Sequence, residues 1–369
     1  VTAAQAEWTD DGLSGYVQTT HALGADPDGE GDLFATLVRS ADPTPSPRAV
    51  LALHGYTDYF FNTELADHFA AAGWRFYGLD SHRCGRSWRE GQTPHFTTDL
   101  GRYDRELEWA MSVIAAENPG AAGPATSDTG AAGPATSDTG AAGPATSDTG
   151  AAGPATSDTA GRVLVYGHST GGLVAALWLD RVRARGDTGA MGIAGLVLNS
   201  PFLDLNGPAI LRTRATSTAI GAVSKVSKTR VVRGSGSGGY GQTLHRQYHG
   251  EFDYNLRWKP VGGFPVTVGW INAIRRGQAR LHRGLDVGVP NLVLRSDHSV
   301  AESAETEVLQ RGDAVLDVAH ISRWAGCLGN RTTSVPVKDA KHDVFLSLAE
   351  PRTAAYVELD RWLEQLALP

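Results

Sequence analysis

A serine flanked by glycines, Gly167-His168-Ser169-Thr170-Gly171, stands where an apolar run gives way to a helical one. In front of it, Arg162-Val163-Leu164-Val165-Tyr166 reads as a buried strand. Behind it, Leu173-Val174-Ala175-Ala176-Leu177-Trp178-Leu179 reads as a helix. A strand-to-helix turn this tight strains the serine backbone and raises its hydroxyl above the sheet. Gly167 and Gly171 leave room where a side chain would meet backbone. The helix N-terminus adds N–H groups and a positive dipole end, which suit a developing oxyanion. The competing reading is a serine that merely caps its helix.

A serine hydroxyl is a poor nucleophile at neutral pH and needs a neighbouring base. For this type of turn the base follows the acid in chain order. His342 fits, since it follows the last short strand and precedes the final helix, a setting that His282, His298 and His320 lack. His168 is too close in sequence to act as base on Ser169 and reads as lining or packing. The acid that holds the imidazole has two main candidates after the penultimate long strand. Asp313 heads a helix within Gly312-Asp313-Ala314-Val315-Leu316-Asp317, and Asp297 is the alternative, immediately after the strand. Asp313 is preferred because an acid followed by apolar residues and a helix is the usual setting; Asp204 is a third option. Residues 300–311 between the two candidates are polar and read as an insertion. The expected oxyanion donors are the backbone N–H groups of Thr170 and Tyr56. His54, and Asp80 with Gly85-Arg86-Ser87, read as loop scaffolding.

These residues lie far apart in sequence, so a scaffold must gather them. Residues 16–19 and 33–38 read as an edge hairpin, turned by Asp26-Pro27-Asp28-Gly29-Glu30-Gly31. Buried strands are expected at 49–53, 74–79, 193–200 and 289–296, with a short one at 334–337. Helices are expected at 61–72, 100–114, 265–283 and 317–328, and at the C-terminus after Pro351. Alternating strands and helices predict an α/β fold with a mostly parallel sheet covered on both faces. Ligands of such sheets sit at the carboxyl ends of the strands. His54, Asp80, Ser169, Asp297 and His342 all follow expected strands and should meet on that edge. Residues 1–200 and 286–369 are read as the two parts of this core. Residues 201–285, Gly/Ser-rich and then aromatic, are read as a cap inserted between strands. The decapeptide Gly-Ala-Ala-Gly-Pro-Ala-Thr-Ser-Asp-Thr recurs four times over 120–159. With no aliphatic side chain larger than Ala, it reads as a disordered loop insert.

The 369 residues, 41% hydrophobic, suffice for one large core with an insertion. A net charge of −7 argues against a nucleic-acid binder. No apolar run has membrane-spanning length, and the polar N-terminal residues carry no signal-peptide pattern. Cys84 and Cys327 show no metal-type spacing and are expected to be free thiols of a cytoplasmic protein.

His54-Gly55, Gly167-His168-Ser169-Thr170-Gly171, Asp313 and His342 resemble the α/β-hydrolase superfamily. The chain looks most like its monoacylglycerol lipase and lysophospholipase-like serine hydrolases, whose profiles also resemble serine aminopeptidases. Residues 80–87 are similar to that group's D-x-R-G-x-G-x-S loop, and Asn199-Ser200-Pro201 with the following insertion resembles its strand end and cap. The resemblance spans nearly the whole chain except the repeat. Departures are the displaced acid, Thr170 in the elbow and the long Gly/Ser stretch of the cap. The resemblance implies hydrolysis of carboxylic esters through an acyl-enzyme, with Ser169 as nucleophile, His342 as base and Asp313 as orienting acid. It implies a small-molecule ester with an apolar acyl group, and no metal or organic cofactor. An amidase or peptidase on the same triad, and a non-catalytic binding protein on this fold, are the rival expectations. An epoxide hydrolase or dehalogenase would need an Asp in place of Ser169.

Overall fold

The computed structural model describes residues 6–43, 46–118, 163–206 and 213–366. The decapeptide repeat of 120–159 lies outside them.

The chain opens with strands β1 (Thr9–Asp10), β2 (Tyr16–Ala25), β3 (Asp32–Ser40) and β4 (Ala49–Leu53). Helix α1 (Thr63–Ala71), strand β5 (Arg75–Asp80) and helix α2 (Tyr103–Glu117) follow. After the repeat come β6 (Val163–His168), α3 (Thr170–Arg185) and β7 (Ile193–Asn199). The segment 201–285 holds α4 (Arg214–Val226), β8 (Val231–Arg233), α5 (Gly239–Gln242), β9 (Val266–Thr267) and α6 (Val268–Leu281). The chain closes with β10 (Asn291–Ser296), α7 (Thr306–Leu309), α8 (Val318–Ala325), β11 (Thr332–Val337) and α9 (Ala349–Gln365).

Nine strands form one sheet in the order β1-β2-β3-β5-β4-β6-β7-β10-β11. The first three are antiparallel, the hairpin read from sequence, and β3 runs antiparallel to β5. From β5 to β11 every pairing is parallel. This is the α/β-hydrolase arrangement. Its cause is visible in β4, where all five residues are buried because helices cover both faces. Leu51 and Leu53 point into one apolar cluster with α2 and α3, while Val50 and Ala52 point into another with α1 and α9. Asn62 caps α1 by accepting from Leu65 N–H, and Gly186 ends α3 in the left-handed conformation.

The segment 201–285 is not uniform. Its last helix, α6, contributes Trp270, Ala273, Ile274 and Leu281 to the main apolar cluster. That helix begins at Val268 rather than near Pro265, because Val266–Thr267 pairs with β8 first and Thr267 then caps the helix. Both cysteines are free. Among the described residues, no helix is long and apolar enough to cross a membrane.

Candidate active site

Strand β6 ends at His168, and Ser169 follows with φ 51° and ψ −118°, in the region that L-residues avoid. The turn is tight because glycines bound it. A Cβ on Gly167 would lie 2.8 Å from the Gly171 carbonyl oxygen, and one on Gly171 would lie 2.8 Å from that of Leu53. The Ser169 side chain makes no cap hydrogen bond to α3, so the capping role does not account for it. Backbone bonds pin the turn: Ser169 N–H donates to Asn199 O at 3.0 Å, and Phe202 N–H donates to Ser169 O at 2.9 Å.

His342 lies in the loop after β11, 3% exposed, and its Nδ1 donates to Asp313 Oδ2 at 2.9 Å. Asp313 is fully buried. Its other oxygen, Oδ1, accepts from Val315 N–H and Leu316 N–H, both at 2.8 Å. With Nδ1 donating to the carboxylate, Nε2 is the ring nitrogen left to accept a proton.

Residues 300–312 leave the end of β10 and return to it. At their base Ser299 bridges to Asp313, Asp313 N–H donates to His298 O at 3.0 Å, and Val300 N–H donates to Asp313 O at 2.9 Å. Asp313 therefore stands beside the extension of β10, although Asp297 ends that strand in sequence. Asp297 is engaged elsewhere, accepting from His298 Nδ1 at 2.7 Å and from Asp339 N–H at 3.0 Å. Asp204 accepts from Trp324 Nε1 at 3.1 Å.

Asn199, at the end of β7, ties the histidine loop to the serine strand. Its side chain donates to Tyr166 Oη at 2.8 Å and Asp343 Oδ1 at 2.6 Å, and accepts from Val344 N–H at 3.1 Å. His168 donates from Nδ1 to Asn199 O at 3.1 Å and packs 4.9 Å from the His342 ring. Burial pushes its pKa below the ordinary value, so it stays neutral there.

Ser169, His342, His168, Thr170 and Tyr56 line one cavity of about 660 Å³ with residues of the segment 201–285 such as Tyr240, Leu244 and Phe264. The lining is mainly apolar. The loop after β4 that carries Tyr56 faces the turn that leads into Thr170, close enough that a Cβ on Gly55 would lie 3.0 Å from Ser169 Cβ. Thr170 opens α3, where the first N–H groups have no intrahelical acceptor. The arrangement can present a serine hydroxyl, an imidazole with an oriented acid, and two backbone loops at one place.

Asp80 is scaffolding as read from sequence. It accepts from Phe60 N–H at 2.7 Å and from the Arg86 guanidinium at 2.8 Å, and Arg86 reaches on to Asp11. Among the described residues, two groups could approach a metal: His54 with Cys84 and His95, and Asp297 with His298 and Asp339. In the first, His54 is spoken for on both ring nitrogens, donating to Gly55 O at 2.8 Å and accepting from Ser81 N–H at 3.3 Å. Burial pushes the Cys84 thiol up and the His95 imidazole down, leaving both neutral. The second group is mostly exposed and self-bonded.

Sequence reasoning missed Asp58 and Lys259, which form a buried ion pair at 2.6 Å against this cavity. They are 201 residues apart, and no local pattern joins them. Burial alone would raise the Asp58 pKa. Lys259, by its charge and its hydrogen bond, leads the effects that outweigh burial and hold the carboxyl down from 3.8 to about 2.

No protein-family model matches the chain, and no curated protein matches it in sequence. Solved structures do match in fold. A soluble variant of monoglyceride lipase from Saccharomyces cerevisiae, in complex with a substrate analogue, superimposes with a TM-score of 0.57 at 13% identity, covering 100% of this chain and 98% of that one. A monoacylglycerol lipase from Paleococcus ferrophilus gives 0.53 at 13% identity, covering 95% and 99%. A lipase in an open form gives 0.55 at 12% identity, also covering 95% and 99%.

Proposed function

We propose that the chain is a serine hydrolase that cleaves carboxylic esters through an acyl-enzyme. The observation that carries this reading is the strained Ser169 sharing a cavity with a His342 whose Nδ1 is held by buried Asp313. The fold neighbours, named as lipases, support the same chemistry.

In the proposed reaction the Ser169 hydroxyl attacks the ester carbonyl while His342 Nε2 takes its proton. The carbonyl oxygen becomes an oxyanion facing the N–H groups of Tyr56 and Thr170. As the C–O bond to the alcohol breaks, His342 returns the proton to the leaving oxygen. Water then enters, gives a proton to His342 and attacks the acyl carbon; as the bond to Ser169 Oγ breaks, His342 passes that proton to the serine oxygen, releasing the acid and restoring the hydroxyl. Asp313 keeps the imidazole in its working tautomer and stabilises the imidazolium. The apolar lining of the cavity suits an aliphatic acyl group, as in a monoacylglycerol or a lysophospholipid.

The test is labelling with a fluorophosphonate probe followed by a panel of esters of rising acyl length and matched amides. The probe should mark Ser169 in the wild type and not in Ser169→Ala, which should lose on the order of 10⁶ in kcat while remaining folded. Faster turnover of the amides would move the assignment to an amidase. An unlabelled, inactive wild type would leave a binding protein on this fold.

A further inference from the structure

Four consecutive residues of the loop after β4 each hold a different part of the segment 255–265. Tyr56 Oη donates to Pro265 O at 2.7 Å. Thr57 Oγ1 accepts from Phe264 N–H at 2.9 Å. Asp58 Oδ1 accepts from Lys259 Nζ at 2.6 Å, and Tyr59 Oη accepts from Asn255 N–H at 2.7 Å. The Tyr59 ring also meets Trp258 edge-on at 5.1 Å. This loop carries the Tyr56 N–H, and an oxyanion donor works only within about 3 Å of the developing charge.

The loop does not hold that shape by itself. Thr57 has φ 55°, where a β-branched residue persists only if its surroundings impose it. Asp58 also faces inward, with Oδ2 3.4 Å from the Gly55 N–H that precedes the donor. One carboxylate thus spans the loop's own backbone and the cap. Lys259 is not a free cation awaiting an anionic substrate. It is 8% exposed, bonded to Asp58, and set over the rings of Phe61 and Tyr254 at 5.4 and 5.8 Å.

We propose that Asp58 and Lys259 are positioning residues for the ester hydrolysis inferred above, on which this rests: their ion pair fixes the oxyanion loop by fastening it to residues 255–265. The cap segment is then part of the catalytic geometry rather than only a wall of the acyl cavity.

Lys259→Met keeps the side-chain length and removes the charge, and Asp58→Asn keeps the shape. In each, kcat on p-nitrophenyl butyrate should fall about 10²-fold with KM within about threefold, the signature of a displaced transition-state contact. Affinity for a trifluoromethyl ketone, whose adduct is an oxyanion, should fall by the same factor. Asp104→Asn, which opens the Arg181 pair between α2 and α3, serves as a stability control and should leave both values within about twofold. If a charge variant does not fold, Thr57→Val takes its place with an expected kcat loss of about tenfold. Folded variants that keep kcat within threefold, or that raise KM alone, overturn the proposal. A wild type that neither hydrolyses esters nor takes a fluorophosphonate refutes the functional reading instead. The positioning claim is then judged by amide exchange over residues 55–59, which Lys259→Met should speed at least about tenfold; unchanged exchange overturns it.

Discussion

Two aspartate–histidine pairs stand near the end of β10, and they are chemically alike. Asp297 meets His298 at 2.7 Å, and Asp313 meets His342 at 2.9 Å. Their surroundings differ. The side chains of the first pair are 35% and 46% exposed, while those of the second are 0% and 4% exposed. Solvent screens the first pair, which joins neighbours in sequence and reaches beyond itself only through the Asp339 N–H that Asp297 accepts. The second joins residues 29 apart, and two backbone N–H groups hold its carboxylate. Only a carboxylate held this way can keep an imidazole in one tautomer and one orientation. Hydrogen-bond length therefore says little about which pair suits the proposed chemistry; burial and anchoring separate the two.

The sharpest way to break that distinction is to remove each histidine. His342→Ala should cost nearly as much as loss of the nucleophile, on the order of 10⁶ in kcat, while His298→Ala should stay within about threefold. Equal losses measured on the same ester would erase the contrast. The acids come next. Asp313→Asn should lower kcat by about 10⁴ by favouring the wrong histidine tautomer, whereas Asp297→Asn should cost less than about tenfold. The reverse order would mean that Asp297 serves the histidine in solution.

The excursion between the acids gives a smaller effect. Residues at its base, not its tip, place Asp313. Replacing 303–309 with a short Gly/Ser turn should keep kcat within about tenfold and raise KM, because Glu302 and neighbouring residues line the cavity. A loss as large as that of Asp313→Asn would show that the tip positions the acid.

Acid titration extends the comparison to Asp58. Its folded-state pKa lies near 2, below the ordinary 3.8. A depressed carboxyl contributes stability that is complete above about pH 4 and lost as pH falls through about 2. Removing the group in Asp58→Asn should flatten the acid limb of stability by about 2 kcal/mol over that window, measured by urea unfolding at each pH. Asp297 is also lowered, by its bonds to His298 and Asp339 against the opposing effect of burial. It is partly exposed, so Asp297→Asn should change that limb far less. A flatter limb in Asp297→Asn than in Asp58→Asn would invert the assignment of which carboxylate is held by its surroundings.

The sequence by itself determined the local elements. Continuous apolar runs and period-3.6 patterns placed the parallel strands and their helices, because burial on two faces leaves runs such as 49–53. Gly167-His168-Ser169-Thr170-Gly171 announced a strained turn, because only glycine fits against backbone on both sides of it. Chain order picked out His342. The tertiary structure decided what depends on contacts between distant residues. Asp297 and Asp313 were both admissible acids, and the choice between them as partner of His342 rests on the Ser299–Asp313 bridge that closes 300–312 at its base. The Asp58–Lys259 pair was invisible for the same reason: an ion pair leaves no periodic trace in sequence when its members are 201 residues apart and meet only once residues 255–265 are packed on the loop after β4. Local periodicity reports which face of an element is buried; it carries no information about which side chain waits on the other side.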